Sequence, residues 1–311
     1  MTSTLTDPGQ SPVTTKHPRQ LYLLFFTEMW ERFSFYGMKA LLLAYMVMEL
    51  NFAEEKGYAI LGAYAALVYT MPVFGGMLAD KLLGSQRAVL FGGILMSLGH
   101  LVLALPLNWS FFTGLSLIIC GNGFFKPNIS TMVGGLYKDN DPRRDSAFSI
   151  FYLGINIGAA LGGAICGWVA HAWSWHAGFG IAGIFMILGT LVFYFGKKSL
   201  GKVGLPPRPE KLSEKWGGIL RKDLSVYLFT FLLVPCIILL FNRHHIMDVV
   251  MLVLGVTSLF YLLFEAFRMD AQGRNKLLAA TVLISFSILF WAFYEQNAGS
   301  LNLFAIRNVN M

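Results

Sequence analysis

Apolar residues in this chain come in long blocks rather than at the spacing of a half-buried helix or strand. Nine blocks are long enough, or nearly so, to cross a bilayer at about 20 residues each. They cover residues 21–50, 58–78, 88–107, 111–136, 147–171, 175–196, 226–241, 249–267 and 277–298, the seventh being the shortest. The pattern predicts an all-α multispan membrane protein. Most connections are short and polar. The exception is 197–222, where Pro206, Pro207 and Pro209 sit among many lysines. It reads as a cytoplasmic linker between two membrane units, with six spans before it and three after.

Composition agrees. The chain has 311 residues, 56% of them hydrophobic and only 13% charged, with mean hydropathy +0.59. Soluble domains carry about 25% charged residues. The net charge of +7 is spread over the connections, which suits orientation in a bilayer and not a nucleic-acid partner. Lys81 and Arg87, then Lys138, Arg143 and Arg144, then eight basic residues within 197–222, then Arg268, Arg274 and Lys276 fall on one side. The opposite connections hold only Lys56, Arg243 and Arg307, so the N-terminus is expected in the cytoplasm. Residues 1–20, rich in Ser, Thr and Pro, are expected to form a disordered cytoplasmic tail without a cleavable signal. Cys120, Cys166 and Cys236 are isolated in apolar segments and suggest no metal or disulfide framework.

Several ionisable groups interrupt this pattern. Glu28, Glu31, Arg32 and Lys39 share one face of the first span. Such groups cost about 2.5–3.5 kcal/mol each on insertion and are resolved by a wet cavity or by internal pairing. The fourth span carries Asn122, Lys126 and Asn128, with Pro127 able to open the local hydrogen-bond ladder. In the fifth, Asn156 lies among glycines, which by themselves fit close helix packing. The ninth ends on Glu295, either a solvated carboxylate or a partner for Lys39. His100 stands alone in the third span and reads as a packed polar residue. The stretch from Gly75 to Arg87 resembles the loop signature of the major facilitator superfamily.

Three motifs together make the chain similar to the proton-dependent oligopeptide transporter family. Glu28-x-x-Glu31-Arg32-Phe33 resembles its ExxERF motif on the first helix. The stretch Phe151-Tyr152 through Asn156 resembles its FYxxIN signature on the fifth, and Phe290-Trp291 through Glu295-Gln296 its seventh-helix motif. The resemblance implies the major facilitator fold: an N-terminal six-helix bundle over 21–196, the linker 197–225, an extra helix pair over 226–270, and over 271–311 the first helix of a second bundle. It implies proton-coupled symport of di- and tripeptides by alternating access in a bacterial inner membrane. Arg32, Tyr36, Tyr64, Lys126 and Asn156 would bind the peptide, Glu28, Glu31, Arg32 and Glu295 would couple it to protons, and Lys39 with Glu295 would close an outer gate. No cofactor beyond the coupling proton is implied, and oligomeric state is not set.

The chain departs from the family at Phe35, where many members have tyrosine, and it has no histidine in the second span. It also stops where members continue into five more helices, so a truncated form without transport is the expectation. Competing readings are a carrier of another small anion such as nitrate and a non-transporting membrane binder. An intramembrane enzyme lacks a Ser/His or metal-ligand pattern.

Overall fold

The computed structural model describes residues 16–309. Six long helices come first: α1 (Arg19–Ala44), α2 (Glu54–Leu78), α3 (Ser85–Leu103), α4 (Ser110–Gly135), α5 (Arg143–Ala172) and α6 (Trp175–Gly196). A π-turn prolongs α1 over Tyr45–Glu49, and another prolongs α2 over Ala79–Leu83. The linker holds a one-turn helix, α7 (Pro209–Ser213), and a hairpin of two-residue strands, β1 (Lys215–Trp216) and β2 (Leu220–Arg221). Then follow α8 (Lys222–Asn242), α9 (His244–Arg268), α10 (Ala271–Tyr294), a 3-10 turn over Glu295–Asn297, and α11 (Ser300–Asn308).

A long helix stands at each of the nine expected positions. Six helical stretches among the described residues are long and apolar enough to cross a membrane: Glu54–Leu83, Ser85–Leu103, Arg143–Ala172, Trp175–Leu200, Lys222–Phe241 and Ala271–Asn308. The stretches that fall outside this set include α1 and α4, which carry the polar groups singled out above. Three local expectations change. The helix begins at Arg19, because Pro18 fixes an extended backbone just before it and lacks only an N–H that a helix start leaves unpaired anyway. The rest of the expected tail, residues 1–15, lies outside the described residues. The seventh stretch, expected to be the shortest, is a full 21-residue helix. A further short helix, α11, follows the ninth.

Two kinds of contact hold the first six helices. α1 and α5 touch backbone to backbone: a side chain at Gly158 or Gly162 would run into the carbonyl oxygens of Met29 and Phe33 respectively. Small residues at such crossings replace the hydrophobic drive that lipid removes. Large side chains fill the space between crossings, among them Phe33, Tyr64, Phe125, Phe179 and Phe193, all fully buried. The turn after α2 closes at Gly84, whose φ of 74° needs glycine. Below it, the Gln86 N–H donates to Gly204 O at 2.9 Å, clipping the linker to the bundle. α8 leans on α3 and α4 through Phe91 with Tyr227 and Phe112 with Phe241. α10 lies along α9, and its end returns to α1, where Asn302 donates to Ala40 O at 2.8 Å.

Candidate functional site

The charged face of α1 is buried inside the bundle. Glu28 is 2% exposed, Glu31 0% and Arg32 3%, so none of them faces lipid. Arg32 faces both carboxylates at once. Its Nη2 donates to Glu31 Oε1 at 2.6 Å, its Nε donates to Glu31 Oε2, and Nε also lies 3.2 Å from Glu28 Oε1. The guanidinium is further held over the Phe35 ring at 5.0 Å and the Tyr36 ring at 6.0 Å. Glu31 is thereby gripped through both oxygens, whereas Glu28 Oε2 is buried without a hydrogen-bond partner. Helical spacing brings Glu28 and Arg32 together, at i and i+4, whereas Glu31 is the chain neighbour of Arg32 and is reached by the guanidinium bending back to it.

Farther along the same face α1 reaches a cavity of about 630 Å³. Tyr36 and Lys39 line it from α1, Tyr69 from α2, Lys126 from α4, Tyr152 and Asn156 from α5, and Trp291, Tyr294 and Glu295 from the end of α10. Lys39 Nζ donates to Glu295 Oε2 at 2.6 Å, a pair joining residues 256 apart in the chain. Lys126 Nζ sits 4.9 Å above the Tyr69 ring and makes no ion pair among the described residues. Asn156 donates through Nδ2 to Tyr152 O at 2.9 Å, leaving its Oδ1 available to the cavity.

Of the residues singled out from sequence, Tyr36, Lys39, Lys126, Asn156 and Glu295 therefore meet on one wall. Glu28, Glu31 and Arg32 stand one layer behind it. Tyr64 is packed against Phe35, with ring centroids 6.3 Å apart, and its hydroxyl is buried without a partner. The solvated alternative for Glu295 gives way to the pair with Lys39. His100 is fully buried, with no hydrogen-bond partner on either ring nitrogen among the described residues. Tyr69, Tyr152, Trp291, Tyr294 and Asn302 line the cavity without having been singled out as site residues. One signal was present for Tyr152, which lies four residues before Asn156 and so on its face. Nothing local marks Tyr69 or Asn302.

Buried charges beside a polar-lined cavity, in a bundle of helices long and apolar enough to span a bilayer, define a multi-pass membrane protein, and relatives place it in a family. Residues 86–311 match the model of the POT family (PTR2). The chain is 37% identical over 305 residues to the uncharacterized transporter YclF of Bacillus subtilis, covering 95% of this chain and 61% of that protein. It is 38% identical to the peptide transporter YePEPT of Yersinia enterocolitica, covering 93% and 60%. A crystal structure of a peptide transporter in complex with alafosfalin superposes with a TM-score of 0.78 at 36% identity, over 94% of this chain and 61% of that one. A POT transporter in complex with 5-aminolevulinic acid gives 0.79 at 31% identity, over 94% and 62%. The chain belongs to the POT family, and it spans about three fifths of the length of these relatives.

Proposed function

We propose that this chain supplies the first bundle, and part of the second, of a proton-coupled symporter of di- and tripeptides working by alternating access. In this reading residues 21–196 form the bundle, 197–225 the linker, 226–270 an accessory helix pair, and 271–311 the beginning of the second bundle. The observation that carries it is Lys126, a cation that makes no ion pair among the described residues, facing a cavity that also offers the Tyr36 hydroxyl and the Asn156 amide. A peptide carboxylate fits that corner as a charge-assisted hydrogen-bond acceptor. Arg32 stays neutralised by Glu31 until a proton on Glu28 or Glu31 loosens the set and lets the guanidinium turn toward substrate. Glu28 is the first candidate, because one of its oxygens is free to take a proton.

The pair Lys39–Glu295 would act as the outer closure. A proton on Glu295 removes the charge that holds Lys39, and α10 is then released from α1. No cofactor beyond the coupling proton enters this scheme, and no covalent step is assigned. The one-sided distribution of basic connections supports a cytoplasmic N-terminus in a bacterial inner membrane.

Proton-driven uptake of a labelled dipeptide into liposomes, run beside the full-length Yersinia transporter carrying the matching substitutions, tests the scheme. Glu28→Gln and Glu31→Gln are each expected to cut gradient-driven uptake by about tenfold or more, the size of a lost charge-assisted interaction, while peptide exchange without a gradient survives. Unchanged gradient-driven uptake in both would sink it. Inhibition of uptake by nitrate and not by unlabelled peptides would replace peptide with another small anion.

A further inference from the structure

A second cavity, of about 740 Å³, lies apart from the charged site, between α2, α4 and α8. Its wall is apolar along its length: Met71, Phe74 and Leu78 on α2, Phe124 on α4, Phe229 and Leu233 on α8. The Thr230 hydroxyl is spent on Val226 O at 2.8 Å. Polar groups gather only where the linker enters α8. There Lys81, on the π-turn after α2, and Ser225, in the first turn of α8, line the groove. From Ser225 to Leu233 the wall rises about 12 Å along α8, most of the depth of one leaflet.

The charge at that end is one-sided. Lys81 makes no ion pair or hydrogen bond among the described residues. Of the nearby carboxylates, Asp223 is held by Arg221 at 2.7 Å with Arg87 at 3.8 Å, and Glu214 by Lys222 at 2.5 Å. Asp80, on the same turn as Lys81, is exposed. Leu212 of α7 packs with Ala79, Leu83 and Val226 and so fastens the chain bearing Lys211 and Lys215 to this end.

We propose that the groove is a binding site for an anionic glycerophospholipid, with acyl chains laid against Phe74, Phe124 and Phe229 and the headgroup phosphate at Lys81, the Ser225 hydroxyl beside it being spent on Lys222 O at 2.7 Å. An apolar slot with a single unneutralised cation at its water end matches an amphiphile with one anionic end. Both α2 and α8 are long and apolar enough to cross a membrane, which sets the groove at the depth of lipid chains. The basic linker raises the local concentration of anionic headgroups, at a worth of about fivefold per nearby lysine.

The test uses the chain in phosphatidylcholine vesicles doped with spin-labelled phosphatidylglycerol or spin-labelled phosphatidylcholine, reading the motionally restricted fraction of each probe. The wild-type chain is expected to hold phosphatidylglycerol several-fold more strongly. Lys81→Gln should reduce that preference about fivefold, Lys81→Arg should keep it, and Lys138→Gln, on another connection, should leave it unchanged. Equal restriction of the two probes by the wild-type chain, or an undiminished preference in Lys81→Gln, overturns the proposal. So does cross-linking of Phe229→Cys to a second polypeptide with phosphatidylglycerol left unrestricted, because a protein segment would then occupy the slot.

Discussion

The crossing of α1 with α5 and the helix α10 are built on opposite plans. At the crossing, glycines bring two backbones into contact, and the side chains around them, Met29, Arg32 and Phe33 among them, are buried. Along α10, Thr281 is the one buried residue among those described, and Phe286, Phe290, Trp291 and Phe293 are exposed. The first plan fixes position by steric fit. The second leaves a helix to be placed by a few polar fastenings near its end, chiefly Lys39 with Glu295 and Asn302 with Ala40. Where fit decides, the element has one position. Where a few polar contacts decide, it can have two.

That contrast can be broken most severely at the glycines. Gly158→Leu is expected to cost more than about 3 kcal/mol, because backbone atoms of α1 cannot give way as a flexible side chain would. Thermal unfolding in detergent, with wild type in parallel, would check this. Gly255→Ala on α9, where nothing lies within 4 Å of the added carbon, should be neutral or stabilising by about 0.5–1 kcal/mol.

An intermediate effect is expected at the fastening. Lys39→Ala or Glu295→Ala should each destabilise the docked end of α10 by about 1–2 kcal/mol, less than for a fully dry pair because Glu295 is 30% exposed. A double-mutant cycle should then return a favourable coupling, and a zero coupling would remove the pair from the account of how α10 is held.

The smallest effect lies in the connection between α4 and α5. Arg143 donates to both carboxylate oxygens of Asp141, at 3.0 and 2.7 Å, and this pushes the carboxyl down to about 2 from its ordinary value of 3.8. A depressed carboxylate contributes stability above its unfolded value and loses it as pH falls through the folded one. The pairing should therefore persist down to about pH 2 and fade below it. A carboxyl-carbon NMR titration should find Asp141 near that value, returning toward 3.8 in Arg143→Ala.

The same contrast separates what the sequence discloses from what it conceals. The approach of Glu28 to Arg32 was readable because i and i+4 lie one turn apart and helical geometry converts that spacing into contact, whereas the grip of Arg32 on its chain neighbour Glu31 is not set by spacing. Lys126 and Asn156 were marked by polarity against apolar surroundings. Tyr69 and Asn302 were not, since a lone aromatic within a span or an amide in a short helix has many unremarkable uses. The hairpin over 215–221 and the π-turn after α2 depend on how the linker folds back on the bundle, which no local period encodes. The meeting of Lys39 with Glu295 followed from family resemblance rather than from spacing.

Synthesis order gives that last pair another meaning. Arg32 emerges from the ribosome with both of its carboxylates already made, whereas Lys39 must wait for 256 more residues before Glu295 exists. At about 5–20 residues per second the wait is roughly 13–50 s. Throughout that interval Lys39 lacks its counter-charge from Glu295, so the early folding of α1 has to tolerate what the finished fold later neutralises.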